Sequence, residues 1–296
     1  MSTTTTLRVK APPGFRVDAG ALLPAPLAEL SLNEIERIVL PAGNERCAVG
    51  DVFEVSRSET AAARAAADAP HTPHTPHAPH IEHADATLVI DGAEPWLDRV
   101  GAHMTAGHLV VHGSTGDYSG LHMAGGVLRI DGDAGHFTAC EMRGGRLSVA
   151  GNSGDFAAGA LTGDMEGMTG GTLTIHGDTG ARLADRMRRG LVLVGGDAGE
   201  FAASRLVAGT VCVAGELGPH YAYGMRRGTL LLAQRPVQLP PTFTEGGRGF
   251  DVFWALLVRS LAREITPFSQ WRAMKLPARY AGDLAVDGRG EILIAG

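Results

Sequence analysis

The stretch GVLRIDGDAGHFTACEMRGG, residues 126–145, spans one period of a repeat that runs through the middle of the chain, from one index glycine to the next. Its first glycine returns at intervals of 19, 19, 26, 19, 19 and 19 residues, as Gly107, Gly126, Gly145, Gly171, Gly190, Gly209 and Gly228. A methionine or leucine stands three residues before each of these index glycines. Self-similarity at a short, fixed period is typical of solenoid proteins.

Each repeat unit contains one short strand. Apolar residues two apart, such as Leu128 and Ile130, lie between glycines, and a period of two is the signal of a β-strand. A unit of 19 residues is too short for a strand, a helix and two loops, but it fits one coil of a parallel β-helix with rungs about 4.8 Å apart. We therefore predict a mainly β protein, built on a right-handed parallel β-helix of about seven 19-residue coils.

Residues 19 apart should lie above one another in such a fold. The methionines then form an internal stack, and an aromatic column predicts a second core ladder of Tyr118, Phe137, Phe156 and Phe201. The 26-residue interval carries seven extra residues within positions 159–167, which predicts a loop on one face. This loop is a candidate partner contact, although Asp164 and Glu166 also fit a solvated surface.

Composition excludes several classes of protein. The 296 residues are 44% hydrophobic, with 41 glycines and a formal net charge of −6, which gives no basis for nucleic-acid binding. No apolar stretch is long enough to cross a membrane, and the three distant cysteines favour neither a disulfide framework nor a zinc site. The first residues lack the regions of a signal peptide, so we predict a cytoplasmic protein.

Segments of different composition flank the repeat. We predict an N-terminal α+β module over residues 1–57, with a helix that a capping box opens at Ser31 and Glu34. An Ala/His/Pro-rich mobile linker follows over 58–86, and the β-helix occupies 87–235. The remainder, 236–296, is predicted to form a helix over 250–265 and a hairpin-like tail over 282–294. This segment would pack on the end of the cylinder or on other subunits of a complex.

The linker holds four histidines at every third position, which invites a metal-binding interpretation. In a polyproline helix, which rises about 3.1 Å per residue, neighbouring histidines would stand about 9 Å apart, so a single zinc ion could not join them. We predict a solvated loop for this tract of His71, His74, His77 and His80.

No catalytic motif stands out, and we predict neither catalytic residues nor a metal site. The Gly-x-x-Gly pairs recur in every coil and so indicate turns, whereas a phosphate-binding loop would occur once. His103 and His122 share a column four residues before the index glycine. Without a third ligand, they are predicted to be stacked surface histidines.

Arginines form the most informative polar pattern. Between positions 181 and 235 the sequence contains eight arginines and only four acidic residues. Arg188 and Arg226 share one column with Arg143, whereas Arg186 and Arg205 share another, which predicts a stripe along one corner. Arginine suits contacts with carboxylates or phosphates, so we predict an anionic partner, with salt bridges to the chain's own acids as an equal alternative. The candidate binding residues are Arg143, Arg182, Arg186, Arg188, Arg189, Arg205, Arg226 and Arg227.

The coil pattern Gly-x-Leu-x-Ile-x-Gly-x-x-Gly…Met-x-x-Gly resembles the β-helical domain shared by glutamate synthase large subunits and the third, β-helical subunit of formylmethanofuran dehydrogenases. The stretches LNEIERIVLPAGNER (32–46), GDVFEV (50–55) and RYAGDLAVDGRGEIL (279–293) favour the second. They are similar to that β-helical subunit and to its bacterial counterpart in the formyltransferase/hydrolase complex. The resemblance covers nearly the whole chain, except about residues 58–85.

This resemblance implies a non-catalytic scaffold and carrier-binding subunit. Its complex would release formate from a formylated methanofuran-type carrier in tetrahydromethanopterin-linked one-carbon oxidation, the formaldehyde oxidation of methylotrophy. The implied partners are a metal-dependent amidohydrolase-like hydrolase subunit, a molybdopterin-oxidoreductase-like subunit and a formyltransferase subunit. No intrinsic cofactor is implied, and the absence of iron–sulfur cysteine runs agrees with this. Carriers of this family bear polyglutamate tails, which makes them candidate ligands of the arginines at a subunit interface.

Three alternatives remain open. The chain could be a separately encoded β-helix of the glutamate synthase type, or the β-helical subunit of a redox-active formylmethanofuran dehydrogenase. A β-helical enzyme acting alone would need an acidic or histidine site on an outer wall.

Overall fold

The computed structural model describes residues 2–60 and 86–295, so the histidine tract at 71–80 lies outside the described residues. The strands in chain order are β1 Ser2–Val9, β2 Val17–Asp18, β3 Val39–Ala42, β4 Glu45–Ala48, β5 Phe53–Thr60, β6 Thr87–Ala93, β7 Leu97–Asp98, β8 His108–Gly113, β9 Val127–Ile130, β10 Arg146–Val149, β11 Thr172–Ile175, β12 Leu191–Val194, β13 Thr210–Val213, β14 Thr229–Leu232, β15 Thr244–Glu245, β16 Ala278–Gly282 and β17 Gly290–Ile294. The helices are α1 Pro24–Glu29, α2 Leu32–Glu36, α3 Val49–Val52 and α4 Asp251–Leu261, with 3-10 turns at Phe268–Gln270 and Leu284–Val286.

Most strands belong to one large, mostly parallel sheet of 13 strands, in the order β15-β16-β17-β14-β13-β12-β11-β10-β9-β8-β6-β1-β5. Equivalent residues of successive repeats pair directly, as Leu128 does with Leu109 and Leu147. Pairing continues across the 26-residue interval, where Leu147 lies beside Leu173. The prediction of a mainly β protein with stacked parallel strands is confirmed, and the architecture is β-helix-like.

The interior of the stack is filled as the repeat predicts. The methionines three residues before the index glycines are fully buried, as Met104, Met123, Met142, Met168, Met187 and Met225. Each index glycine packs closely against the coil before it. A Cβ atom on Gly190 would lie 2.8 Å from the Met168 Cε and 2.9 Å from the Gly171 carbonyl oxygen. Successive coils therefore leave no space for a side chain at this position.

The prediction of an aromatic core ladder is wrong. Tyr118, Phe137 and Phe156 stack with ring centroids 4.9 Å apart, but they are only half-buried and lie outside the stack. The turn residues that point inward at this corner are alanines such as Ala139 and Ala158, both fully buried. Only small side chains fit inside the tight corner, so the rings stack on its surface.

The N-terminal segment extends the sheet. Strand β1 lies between β6, to which it is parallel, and β5, to which it is antiparallel. The predicted capping box at Ser31 and Glu34 is present at the start of α2. Strand β6 adds a coil that the glycine column does not show, because Ala86 stands where the index glycine would be.

The C-terminal segment covers one face of the sheet. Helix α4 packs over the outer face of the last strands and ends at Leu261 rather than at residue 265. Strands β16 and β17 form a hairpin that begins at residue 278 rather than 282, and β17 also pairs in parallel with β14. Among the described residues, no helix is long and apolar enough to cross a membrane.

Candidate binding cleft at the arginine corner

A cleft of about 410 Å³ lies at one corner of the stack. Its walls come from the insertion, from the turns before the last index glycines and from the C-terminal tail. Four of the eight candidate arginines line it, namely Arg186, Arg188, Arg205 and Arg226. They come from three successive coils, because the turn that precedes each index glycine lies at the same corner. Register alone thus brings these four side chains together.

The other four candidates, Arg143, Arg182, Arg189 and Arg227, do not line the cleft. Arg143, Arg189 and Arg227 are exposed. Arg182 belongs to the aromatic column, where its guanidinium carbon lies 5.8 Å from the ring centroid of Phe156 and 4.6 Å from that of Phe201. Cation–π contact therefore holds Arg182 between two rings.

The buried carboxylate of Asp185 holds two arginines of the cleft in place. Asp185 is 3% exposed and accepts hydrogen bonds from Ser204 Oγ at 2.6 Å and from Arg205 Nη2 at 2.6 Å and Nε at 3.0 Å. The Arg186 Nε lies 3.9 Å from the same carboxylate. Two parallel hydrogen bonds to Asp185 therefore fix the direction of the Arg205 guanidinium.

The insertion contacts the arginines from the opposite side. Arg186 donates to the Asp164 carbonyl oxygen and to Met165 Sδ, the latter at 3.3 Å. Glu166 lies 2.9 Å from Arg188 Nε, and both side chains are about half exposed. The predicted alternative of salt bridges with the chain's own acids therefore accounts for three of the four arginines in the cleft.

Arg226 differs from these three. It is exposed, and the structure shows no ion pair for it within residues 2–60 and 86–295. The four arginines face the carboxylates of Asp185, Glu166 and Asp283, so the cleft keeps one positive charge in excess. A ligand carboxylate could therefore bind Arg226 directly and compete with Glu166 for Arg188.

The remaining wall of the cleft is apolar, with Met165, Val207, Tyr223 and Val286. Met165 is 70% exposed and Tyr223 62%, which is unusual for side chains of this size. Tyr223 keeps its orientation through an edge contact with Phe201, with ring centroids 6.2 Å apart. The cleft suits an anionic ligand that also presents an apolar or aromatic group.

Asp283 fixes the tail that forms one wall. Its carboxylate accepts hydrogen bonds from the backbone N–H of Gly224 at 3.0 Å and of Ala285 at 2.9 Å. Burial alone would raise the pKa of Asp283, but these bonds and one with the Thr242 side chain leave the pKa below its ordinary value. The carboxylate is therefore ionised and structural.

A second polar cluster lies at the preceding coils. The rings of His103 and His122 are 5.0 Å apart, as the column predicts, and His122 Nε2 lies 2.9 Å from a Glu141 carboxylate oxygen. Burial and the charges of His122, Arg99 and Arg143 lower the pKa of His103. In the part of the chain that the structure describes, no three His, Cys, Asp or Glu residues are placed to hold a metal ion.

The sequence predicted the insertion as a candidate partner contact but did not place it against the arginines, and it gave no sign of the residues that the tail contributes. Asp185 was also missed, although a signal for it exists. Asp185 stands five residues before an index glycine, in a column that holds the apolar residues Ala102, Leu121 and Cys140 in the first three coils. An acid in a buried column predicts a partner cation nearby, because a buried carboxylate must be paired.

No protein-family model and no functionally curated protein matches the sequence. A comparison with solved structures finds a chain of the formyltransferase/hydrolase complex (FhcABCD) from Methylorubrum extorquens, crystallised with methylofuran. The two chains are 35% identical with a TM-score of 0.81, and the match covers 98% of this chain and 99% of the other. The chain belongs to this family. The resemblance to a subunit of this complex is thus confirmed, and it covers nearly the whole of both chains.

Proposed function

We propose that the chain is the third, β-helical subunit of a formyltransferase/hydrolase complex and acts there as a non-catalytic scaffold. The match over 98% of this chain carries the proposal. A stack of parallel coils suits a scaffold, since its rigid stack holds surfaces far apart in sequence at fixed distances. The proposed partners are the hydrolase, molybdopterin-oxidoreductase-like and formyltransferase subunits, in the cytoplasm.

We further propose that the cleft binds the polyglutamate tail of a methanofuran-type carrier. The excess positive charge and the exposed Arg226 favour carboxylates, while Met165 and Tyr223 offer an apolar surface for the rest of the carrier. The related complex was crystallised with methylofuran, which supports a carrier of this class.

Purification of the tagged chain from its host under non-dissociating conditions tests the scaffold proposal. We expect the three partner subunits to co-purify in fixed ratio, with formyl transfer and formate release in the same fraction. A glutaminase or a flavin subunit in that fraction would indicate the glutamate synthase alternative. Molybdenum-dependent oxidation of formate would indicate a redox-active dehydrogenase instead.

Binding of a fluorescent tetraglutamate peptide, followed by anisotropy at low salt, tests the carrier site. The R188E/R226E variant should bind at least about tenfold more weakly, because two charge-assisted contacts are reversed. The matched control is R189E/R227E, since Arg189 and Arg227 neighbour Arg188 and Arg226 in the chain and do not line the cleft. Equal weakening in both variants would show diffuse attraction by the arginine corner and would contradict a site in the cleft.

A further inference from the structure

Helix α4 is apolar around its whole circumference. Eight of its 11 residues are apolar, namely Val252, Phe253, Trp254, Ala255, Leu256, Leu257, Val258 and Leu261. A helix on the surface of a globular protein normally has one apolar stripe and one polar face. Apolar residues on all sides are typical of a helix that is enclosed between two surfaces.

The inner side of α4 already has its surface. Trp254 and Leu261 are at most 1% exposed, and they belong to a buried cluster with the outward-facing strand residues Leu193, Cys212 and Leu231. This contact explains why these three positions are apolar in the last coils. The contact with the sheet covers only the inner side of the helix.

The outer side is exposed to solvent. Val252 is 75% exposed, Leu256 61% and Phe253 41%. Positions 252 and 256 are one turn apart, and 253 lies beside them, so the three side chains form one patch. Exposed apolar patches of contiguous large residues mark interaction sites on soluble proteins.

The segment that contains α4 is rich in exposed basic residues. The segment 246–276 holds the five basic residues Arg248, Arg259, Arg263, Arg272 and Lys275, whereas the whole chain has a net charge of −6. Its acids are Asp251 and Glu264, and the Glu264 carboxylate is bound to Arg146 Nη2 at 2.8 Å. The region around α4 therefore carries a local excess of positive charge.

We propose that the outer face of α4, formed by Val252, Phe253 and Leu256, docks against another protein subunit, on an apolar surface bordered by carboxylates. Charge complementarity selects this occupant, because a carboxylate border pairs with the basic residues around the helix. A second copy of this chain would bring two basic borders together, and like charges facing each other across an interface are unfavourable. This face lies outside the arginine-lined cleft, so the two surfaces can be occupied together.

Co-purification from the host tests the proposal with three tagged chains: the wild type, V252E/L256E and the control V237E. Val237 is fully exposed and lies off the helix, so V237E introduces a negative charge on a surface outside the patch. We expect V252E/L256E to recover at least about 30-fold less of the partner subunits, since central apolar contacts carry most of an interface's affinity. V237E should recover wild-type amounts, and all three chains should keep the same circular dichroism spectrum and melting temperature.

Hydroxyl-radical footprinting of the wild-type chain, alone and in the purified complex, gives a second measurement that needs no variant. Oxidation of Phe253 and Leu256 should fall at least about fivefold in the complex. Equal oxidation, or unchanged co-purification of V252E/L256E, would overturn the docking face while leaving the proposed function intact. If the wild-type chain brings down no partner, both proposals fail.

A photo-crosslinking residue at position 253 distinguishes the occupants. A crosslink to a different subunit, at a peptide with apolar and acidic residues, supports the proposal. A crosslink to a second copy of the chain overturns it. Binding of the isolated chain to vesicles of anionic phospholipid, lost in V252E/L256E, also overturns it in favour of a membrane surface.

Discussion

At the scale of single residues, Asp185 shows how one substitution in a repeat creates a binding surface. The same column holds Ala102, Leu121 and Cys140 in earlier coils, where the turn is packed with apolar atoms. At Asp185 the turn gains a buried carboxylate, and that carboxylate directs Arg205 along the cleft. The coil geometry is unchanged, so a charged cleft is added without a change in fold.

Asp283 carries a pH-dependent contribution to stability. Its pKa in the folded chain is below the ordinary value, so its ionised form stabilises the fold. This contribution is complete above about pH 4, the ordinary pKa of an aspartate, and is lost as the pH falls through the folded value. D283N should lower the free energy of unfolding by about 1–2 kcal/mol at pH 7 and flatten its decline below pH 4.

Urea unfolding followed by circular dichroism at pH 2–7 measures this effect. The matched control is D287N, because Asp287 is exposed and only four residues away. We expect D287N to follow the wild type throughout. An acid-induced decline of the same steepness in D283N and the wild type would contradict the assigned role of Asp283.

At the scale of one coil, close approach between index glycines decides which substitutions the repeat tolerates. Gly190 (φ +111°) and Gly163 (φ +100°) both have left-handed backbones, so alanine is strained at either position. Only at Gly190 would the added Cβ also meet other atoms, whereas nothing lies within 4 Å at Gly163. G190A should therefore lower the free energy of unfolding by about 2–4 kcal/mol and G163A by about 1 kcal/mol.

Urea titrations of the two glycine variants and the wild type test this difference. A similar loss in both variants would mean that backbone strain alone accounts for the glycine column. Close packing of each index glycine against the preceding coil, such as Gly190 against Met168, would then contribute little to the free energy of unfolding.

The coils were predictable because one residue pattern is repeated in each of them. Periodicity states which residues share a column, but it does not state which side of the wall the column faces. For this reason the methionine column was assigned correctly and the aromatic column around Phe137 was not. Strand β6 lies within the predicted β-helix range of 87–235, but the glycine column does not mark it, because alanine replaces its glycine while Leu88 and Ile90 keep the strand pattern.

The cleft was predictable only in part, for a different physical reason. Arg186, Arg188, Arg205 and Arg226 come together through the register of the coils, which the glycine intervals reveal. The opposite walls come from the insertion and from the tail near Asp283, and neither belongs to the repeat. Their positions follow from tertiary packing, which a periodic pattern does not encode.

At the scale of the whole molecule, the two ends of the stack are closed by antiparallel strands. Strand β5 lies at one edge of the sheet and β15 with β16 at the other, so the repeat's own strands have no free edge. One outer face also changes character along the stack. It presents the exposed Arg129 on β9 but the buried Leu193 on β12 and Cys212 on β13, which belong to the cluster beneath α4.

This arrangement predicts that α4 can be released without unfolding the central coils, since each coil of a stacked repeat contacts only its neighbours. W254A removes the largest buried side chain of the helix and should cost about 3 kcal/mol of its docking free energy. Cys212 lies beneath the helix, and burial raises the pKa of its thiol, so it should react slowly in the wild type. In W254A its reaction with a maleimide should be about 100-fold faster.

Mass spectrometry of the labelled peptides measures the rate of maleimide labelling at each cysteine separately. The control F253A removes a side chain that is 41% exposed, so it should leave Cys212 protected. Cys140 serves as an internal reference, because it is buried at the opposite half of the stack, away from α4. Faster labelling of Cys212 alone would establish that α4 opens independently of the coils. Parallel acceleration of Cys140 would contradict this, because the helix and the central coils would then unfold as one cooperative unit.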